Sequence, residues 1–236
     1  MPISLGGRSA LAIGGGGALV ASVIVAAFAR PALFGRGTPT AHRQLLAAFA
    51  DGRPVDGRLV GLVYQPVRAP RRAGDDVRSG ALPLQAAIAA ATQAAAADPS
   101  TTNSRALAIA RLALGQYDQA VSVLEQISAR DEDGTIASDL AAAYLARAQA
   151  SDRREDFGRA LAAAQRALRK NPSLAEARFN RALALEGVLL GTAAQTAWRA
   201  FLEVEPSGGW AVEARQHLES ADLRQASPEL RQAPRR

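Results

Sequence analysis

The chain of 236 residues has no cysteine, one methionine, two histidines and a single lysine, Lys170, and only 5% of its residues are aromatic. The lack of cysteine excludes disulfides and thiolate metal sites and removes the thiol nucleophile. His42 and His217 have no partners at metal-binding or triad spacing, so no nucleophile–base pair can be named. Acidic clusters at Asp131–Asp133 and Glu155–Asp156 fall in expected turns, where solvated loop positions and helix starts account for them. The expectation is a chain without enzymatic activity, cofactor or metal.

What the chain has in abundance is alanine, within a composition that is 48% hydrophobic. Apolar positions recur at three and four residues rather than alternating, which points to an all-α fold with closely spaced helices. Proline recurs at Pro172 and Pro206, 34 residues apart. Ala160, Ala164 and Ala167 precede the first by twelve, eight and five residues, and Ala194, Trp198 and Phe201 precede the second by the same offsets. Gly115, Tyr117 and Ala120 begin a similar pattern upstream, with Glu132 in the place of proline. Leu140, Ala141 and Tyr144 supply a first-helix pattern in the middle, but Tyr144 to Ala160 is seven residues too long for a regular unit, so the polar run Gln149–Asp156 is expected to be a longer turn. Leu84–Ala97, followed by Pro99, reads as a lone cap helix, and Trp210–Leu223 as a second cap behind the Ser207–Gly209 turn.

This spacing resembles the tetratricopeptide repeat (TPR), a helix-turn-helix unit of about 34 residues that stacks on its neighbours to bury its apolar face. More narrowly, Ser138–Gln149, Phe179–Glu186, Ala197–Arg215 and the upstream Gly57–Arg68 are similar to the repeat region that precedes the caspase-like CHAT domain of bacterial proteins. The resemblance implies a right-handed TPR-type helical-hairpin solenoid over residues 82–223, with repeats at 101–134, 135–173 and 174–207, cap helices at 82–99 and 208–223, and a basic tail at 224–236. The caspase-like chemistry itself needs a cysteine, which this chain lacks.

Ser9–Ala29 is a run of 21 uncharged residues bounded by Arg8 and Arg30. At the helical rise it reaches roughly 30 Å, enough to cross a hydrocarbon core. A transmembrane helix at 9–29 behind a short tail at 1–8 is therefore expected, with a cleavable signal peptide ending near Ala27–Ala29 as the rival reading. Gly14, Ala18, Ser22 and Ala26 share one helical face, so a homodimer packed through this helix is a further expectation. The flanking arginines Arg30, Arg36 and Arg43 leave the side of the membrane open between two topologies.

Residues 30–81 read as a linker with a short helix at Thr40–Ala50 and an extended segment at Arg58–Val67. The formal charge of +6 resides outside the repeats: residues 101–223 carry 14 basic and 16 acidic side chains. No nucleic-acid motif accompanies the basic regions, so no nucleic-acid partner is expected, and Arg68, Arg71, Arg72 and Arg78 suit a solvated linker or anionic lipid head groups.

The TPR register implies a concave groove lined by the first helices, at Arg105, Ile109 and Leu112, at Leu145, and at Arg178, Phe179, Asn180, Arg181 and Leu183. The groove reads as more apolar than charged. The resemblance implies that Asn180 holds a ligand's backbone amide, with Arg178 and Arg181 as carboxylate contacts. Phe179 and Leu183 also lie at core spacing, and Trp198 and Phe201 are expected in the core. The expected function is a membrane-anchored scaffold that holds a peptide or helix of a protein partner. A regulatory subunit of a separately encoded caspase-like enzyme and a chaperone-like envelope factor are the alternatives. Arg58–Val67 lying in the groove as a built-in ligand is a further one.

Overall fold

Residues 40–50, 52–67 and 81–226 are described by the structure, a computed structural model. Among them nine α-helices follow in sequence: α1 (Ala41–Ala47), α2 (Ala81–Ala97), α3 (Thr101–Ala113), α4 (Tyr117–Ile127), α5 (Thr135–Ser151), α6 (Glu155–Lys170), α7 (Ala175–Gly187), α8 (Gly191–Val204) and α9 (Gly209–Ala226). The remaining regular structure among these residues is a 3-10 turn at Ser128–Arg130 and an isolated parallel bridge between Arg53 and Val67. The described residues are all-α, as the alanine-rich composition and the apolar spacing lead one to expect.

Each helix follows from its own residues. In α6, Ala160, Ala163, Ala164 and Ala167 form a buried stripe, Glu155 and Asp156 occupy the first turn, and Arg169 and Lys170 the last. That is an amphipathic helix with charges placed to complement its dipole. Helix α3 starts at Ser100, whose hydroxyl accepts the Asn103 N–H, and α1 starts at Thr40 in the same manner. At α5 the cap comes from further back: the buried Asp131 carboxylate accepts the N–H groups of Gly134, Ile136 and Ala137 at 3.0–3.3 Å. Gly134 enters the helix at φ 85°, and its Cα lies so close to α6 that a Cβ would meet the Ala167 carbonyl at 2.6 Å.

Consecutive helices pack on one another, and the odd-numbered ones also touch across the hairpins: α1 on α3, α3 on α5, and α5 on α7. Helix α5 is enclosed on every side, with Ile136 to Ala148 all buried. Alanines at 137, 141, 142, 143, 146 and 148 let its neighbours come that close.

Two expectations are corrected. The run Gln149–Asp156 is not a longer turn, because α5 continues to Ser151 and only Asp152–Arg154 separate it from α6. Asp152, at φ 49°, ends the helix in the left-handed region, and Arg147 reaches across the turn to the buried Asp156 at 2.6 and 2.9 Å. The extra residues thus lengthen the helix. The acidic clusters are also not simply solvated, since Asp131 and Asp156 are buried. The expected membrane segment Ser9–Ala29, the dimer contact through it, Arg68–Arg78 and the tail beyond residue 226 lie outside the described residues. No helix among the described residues is long and apolar enough to cross a membrane.

The capping role of Asp131 can be measured. Asp131→Ala should lower stability by about 2 kcal/mol, because several N–H groups lose a charged acceptor at once. The denaturant midpoint of the variant reads this directly. An unchanged midpoint would remove Asp131 from the account of how α5 begins.

Candidate functional site

The face formed by α3, α5 and α7 is covered by the chain's own residues 52–67. The segment read as a linker is packed: Val55, Leu59 and Leu62 are buried in the same cluster as Ile109, Leu140, Leu145 and Leu183. The expected extended segment Arg58–Val67 is interrupted by a turn at Leu59–Leu62, while Val67 at its end pairs with Arg53 in the isolated bridge. The Leu62 N–H bonds the Leu59 carbonyl at 3.1 Å, and Gly61 at φ 84° occupies the third position of that turn, a geometry that favours glycine.

The side chains beneath grip the main chain of this turn. Asn180, fully buried, accepts the Arg58 N–H at 2.7 Å and donates to the Arg58 carbonyl at 2.9 Å. Its amide also donates to the Ser138 carbonyl at 3.1 Å. Asp139 accepts the Val60 N–H at 2.8 Å through one oxygen and Arg105 Nε at 2.6 Å through the other. Arg105 then donates to the Val60 carbonyl at 3.2 Å, and Glu176 accepts the Gly61 N–H at 3.4 Å. Gly57 lies directly on α5, where a Cβ would meet Ala142 Cα at 2.7 Å and Asn180 Oδ1 at 3.3 Å.

Two arginines fasten the segment to the C-terminal helices. Arg58 donates to Glu205 at 2.5 Å, and Arg53 pairs bidentately with Glu213 at 2.5 and 2.9 Å. Both guanidinium groups lie within 4.8 Å of the Trp210 ring centroid. Trp210 also makes edge contacts with Tyr64 and with Phe179, each at 5.1 Å between centroids. It therefore joins α7, α9 and the segment.

Burial pushes the Asp139 carboxyl upward, against the opposing pull of the Arg105 guanidinium and the Val60 N–H. Arg105 is raised from its ordinary value, as Asp139 outweighs the effect of burial. His42 on α1 is lowered to about 4, first by burial and then by Arg105, and its Nε2 has no hydrogen-bond partner among the described residues.

The expected groove residues divide into separate environments. Arg105 and Asn180 touch the resident segment. Ile109, Leu112, Leu145 and Leu183 are buried core. Phe179 is buried against Trp198, Phe201 and Trp210. Arg178 turns to the carbonyls of Pro172 and Ala200, and Arg181 is half-buried. Asp139 on α5, Glu176 on α7, Glu205 just past α8 and Glu213 on α9 approach the segment and pair with Arg105, Arg58 and Arg53. Sequence reasoning missed these acids together with Gly57, Arg53 and Arg58. One signal was present: Arg105 and Asp139 are opposite charges 34 residues apart.

Removing Asn180 leaves the Arg58 N–H and carbonyl without partners, so Asn180→Ala should cost about 3 kcal/mol in a denaturant titration. A loss below about 0.5 kcal/mol would mean that water replaces the amide freely. His42 gives a pH test. With 6.5 unfolded and about 4 folded, its contribution is complete above pH 6.5 and is lost as pH falls toward 4. The wild type should lose stability relative to His42→Leu across that window, with a slope approaching about 1.4 kcal/mol per pH unit; parallel pH profiles would contradict it.

No protein-family profile, curated protein or solved structure matches this chain, so the reading of this face rests on its own geometry.

Proposed function

We propose that the chain is a membrane-anchored adaptor of the tetratricopeptide type, which holds a peptide of a partner protein on the face made by α3, α5 and α7 and carries out no chemistry itself. The observation that carries this reading is the set of side chains aimed at a main chain. Asn180, Asp139, Arg105 and Glu176 all bond N–H or carbonyl groups of Arg58, Val60 and Gly61. Recognition of backbone groups by fixed side chains is how a surface holds a peptide segment, with pockets for particular side chains adding selectivity.

The repeat reading is supported by the hairpins α3–α4, α5–α6 and α7–α8, the first two of which begin 34 residues apart at Thr101 and Thr135. Side-by-side contact of α3, α5 and α7 is what stacked hairpins produce. The uncharged run Ser9–Ala29 supports the anchor.

In-membrane crosslinking of the full chain followed by mass spectrometry tests the adaptor reading. Wild type should capture one protein partner or a small set, and Asn180→Ala should lose it while remaining folded by circular dichroism. Capture of many unrelated proteins, or a partner indifferent to Asn180, would overturn the assignment of this face.

A further inference from the structure

On the reading that this face binds peptides, we infer that its partner ligand is a turn-forming peptide bearing the pattern Gly-Arg-aliphatic-x-Gly, and that Gly57–Gly61 is a resident copy competing for the same site. The pattern is dictated by the face. The first position must be glycine, because a Cβ there would meet Ala142 Cα at 2.7 Å. The second must be a cation long enough to reach Glu205, as Arg58 does at 2.5 Å, with Trp210 beside it. A carboxylate in that position would oppose Glu176 and Glu205. The third fills the buried site of Leu59, and the fifth takes the left-handed backbone of Gly61. The fourth is bound through its main chain, by Asp139 and Arg105.

The hold on the turn is of a kind that a second molecule can reproduce. It consists of main-chain hydrogen bonds, one arginine and two buried leucines, Leu59 and Leu62. A peptide in trans with the same pattern makes the same contacts. The resident segment has the advantage of its tether, which gives it an effective concentration on the order of millimolar. The intact chain is therefore self-occupied until that segment opens, and opening without unfolding α5 is the requirement of the proposal.

Native-state hydrogen exchange on the full chain tests that requirement first. The Arg58 and Val60 amides should exchange through a local opening, faster than the α5 amides Ala141–Leu145. Exchange of both sets together, only through global unfolding, would overturn the proposal and make the segment a permanent part of the core. The second arm uses the synthetic peptide Asp-Gly-Arg-Leu-Val-Gly-Leu, the chain's own residues 56–62. Gly57→Val in the chain should displace the resident turn and strengthen peptide binding by at least about tenfold over wild type, since the tethered competitor is lost. A peptide with valine in place of its glycine should not bind. A folded Gly57→Val chain that ignores the peptide would also overturn the proposal, and if that variant fails to fold, the exchange of Arg58 and Val60 decides. A partner captured in the membrane alongside purely global exchange would remove this inference and the placement of the partner on the covered face, and would leave a membrane adaptor that binds through another surface.

Discussion

A carboxylate buried without exposure must be paired on both oxygens, and Asp139 imposes that condition at the centre of the molecule. One oxygen takes Arg105 from the preceding first helix, and the other takes the Val60 N–H. The pairing therefore ties together two helical hairpins and a segment about eighty residues away in the chain. Asn180 repeats the logic one hairpin further on, binding both main-chain groups of Arg58 while also donating to Ser138. Neither side chain is satisfied by the helices alone.

The alanine content of the helices makes this arrangement reachable. Small side chains on α5 allow close approach from either side, and Ala142 allows the backbone of Gly57 to lie on the helix itself. Bulk is concentrated at the other end, where Phe179, Trp198, Phe201 and Trp210 interlock and the arginines of the segment lie against Trp210. The face is thus tight and polar in its middle and aromatic toward α9. An acidic rim of Glu176, Glu205 and Glu213 accepts the guanidinium groups.

The helical hairpins are legible in the sequence because they rest on local regularities. The offsets before Pro172 and Pro206 mark the second helices, and the buried Ala160, Ala164, Trp198 and Phe201 occupy those positions. The segment 52–67 is illegible for the opposite reason. Its contacts join residues separated by 122, 147 and 160 positions, which no window along the chain can register. Its glycines and prolines look like linker punctuation, yet Gly57 and Gly61 serve close approach and a left-handed turn. The acidic rim is equally dispersed, contributed by α7, the end of α8 and α9. The lengthened α5 escaped because polar residues at an exposed helix end have the composition of a turn.

The central claim is that side chains of the helical face hold the main chain of residues 58–61. A proton–nitrogen correlation spectrum of the full chain tests it most directly at the Val60 amide, which donates to the Asp139 carboxylate at 2.8 Å. The account predicts a Val60 amide proton shifted well downfield, returning toward the random-coil position in Asp139→Asn. A Val60 resonance already at the random-coil position in wild type, and unmoved by the substitution, would contradict it.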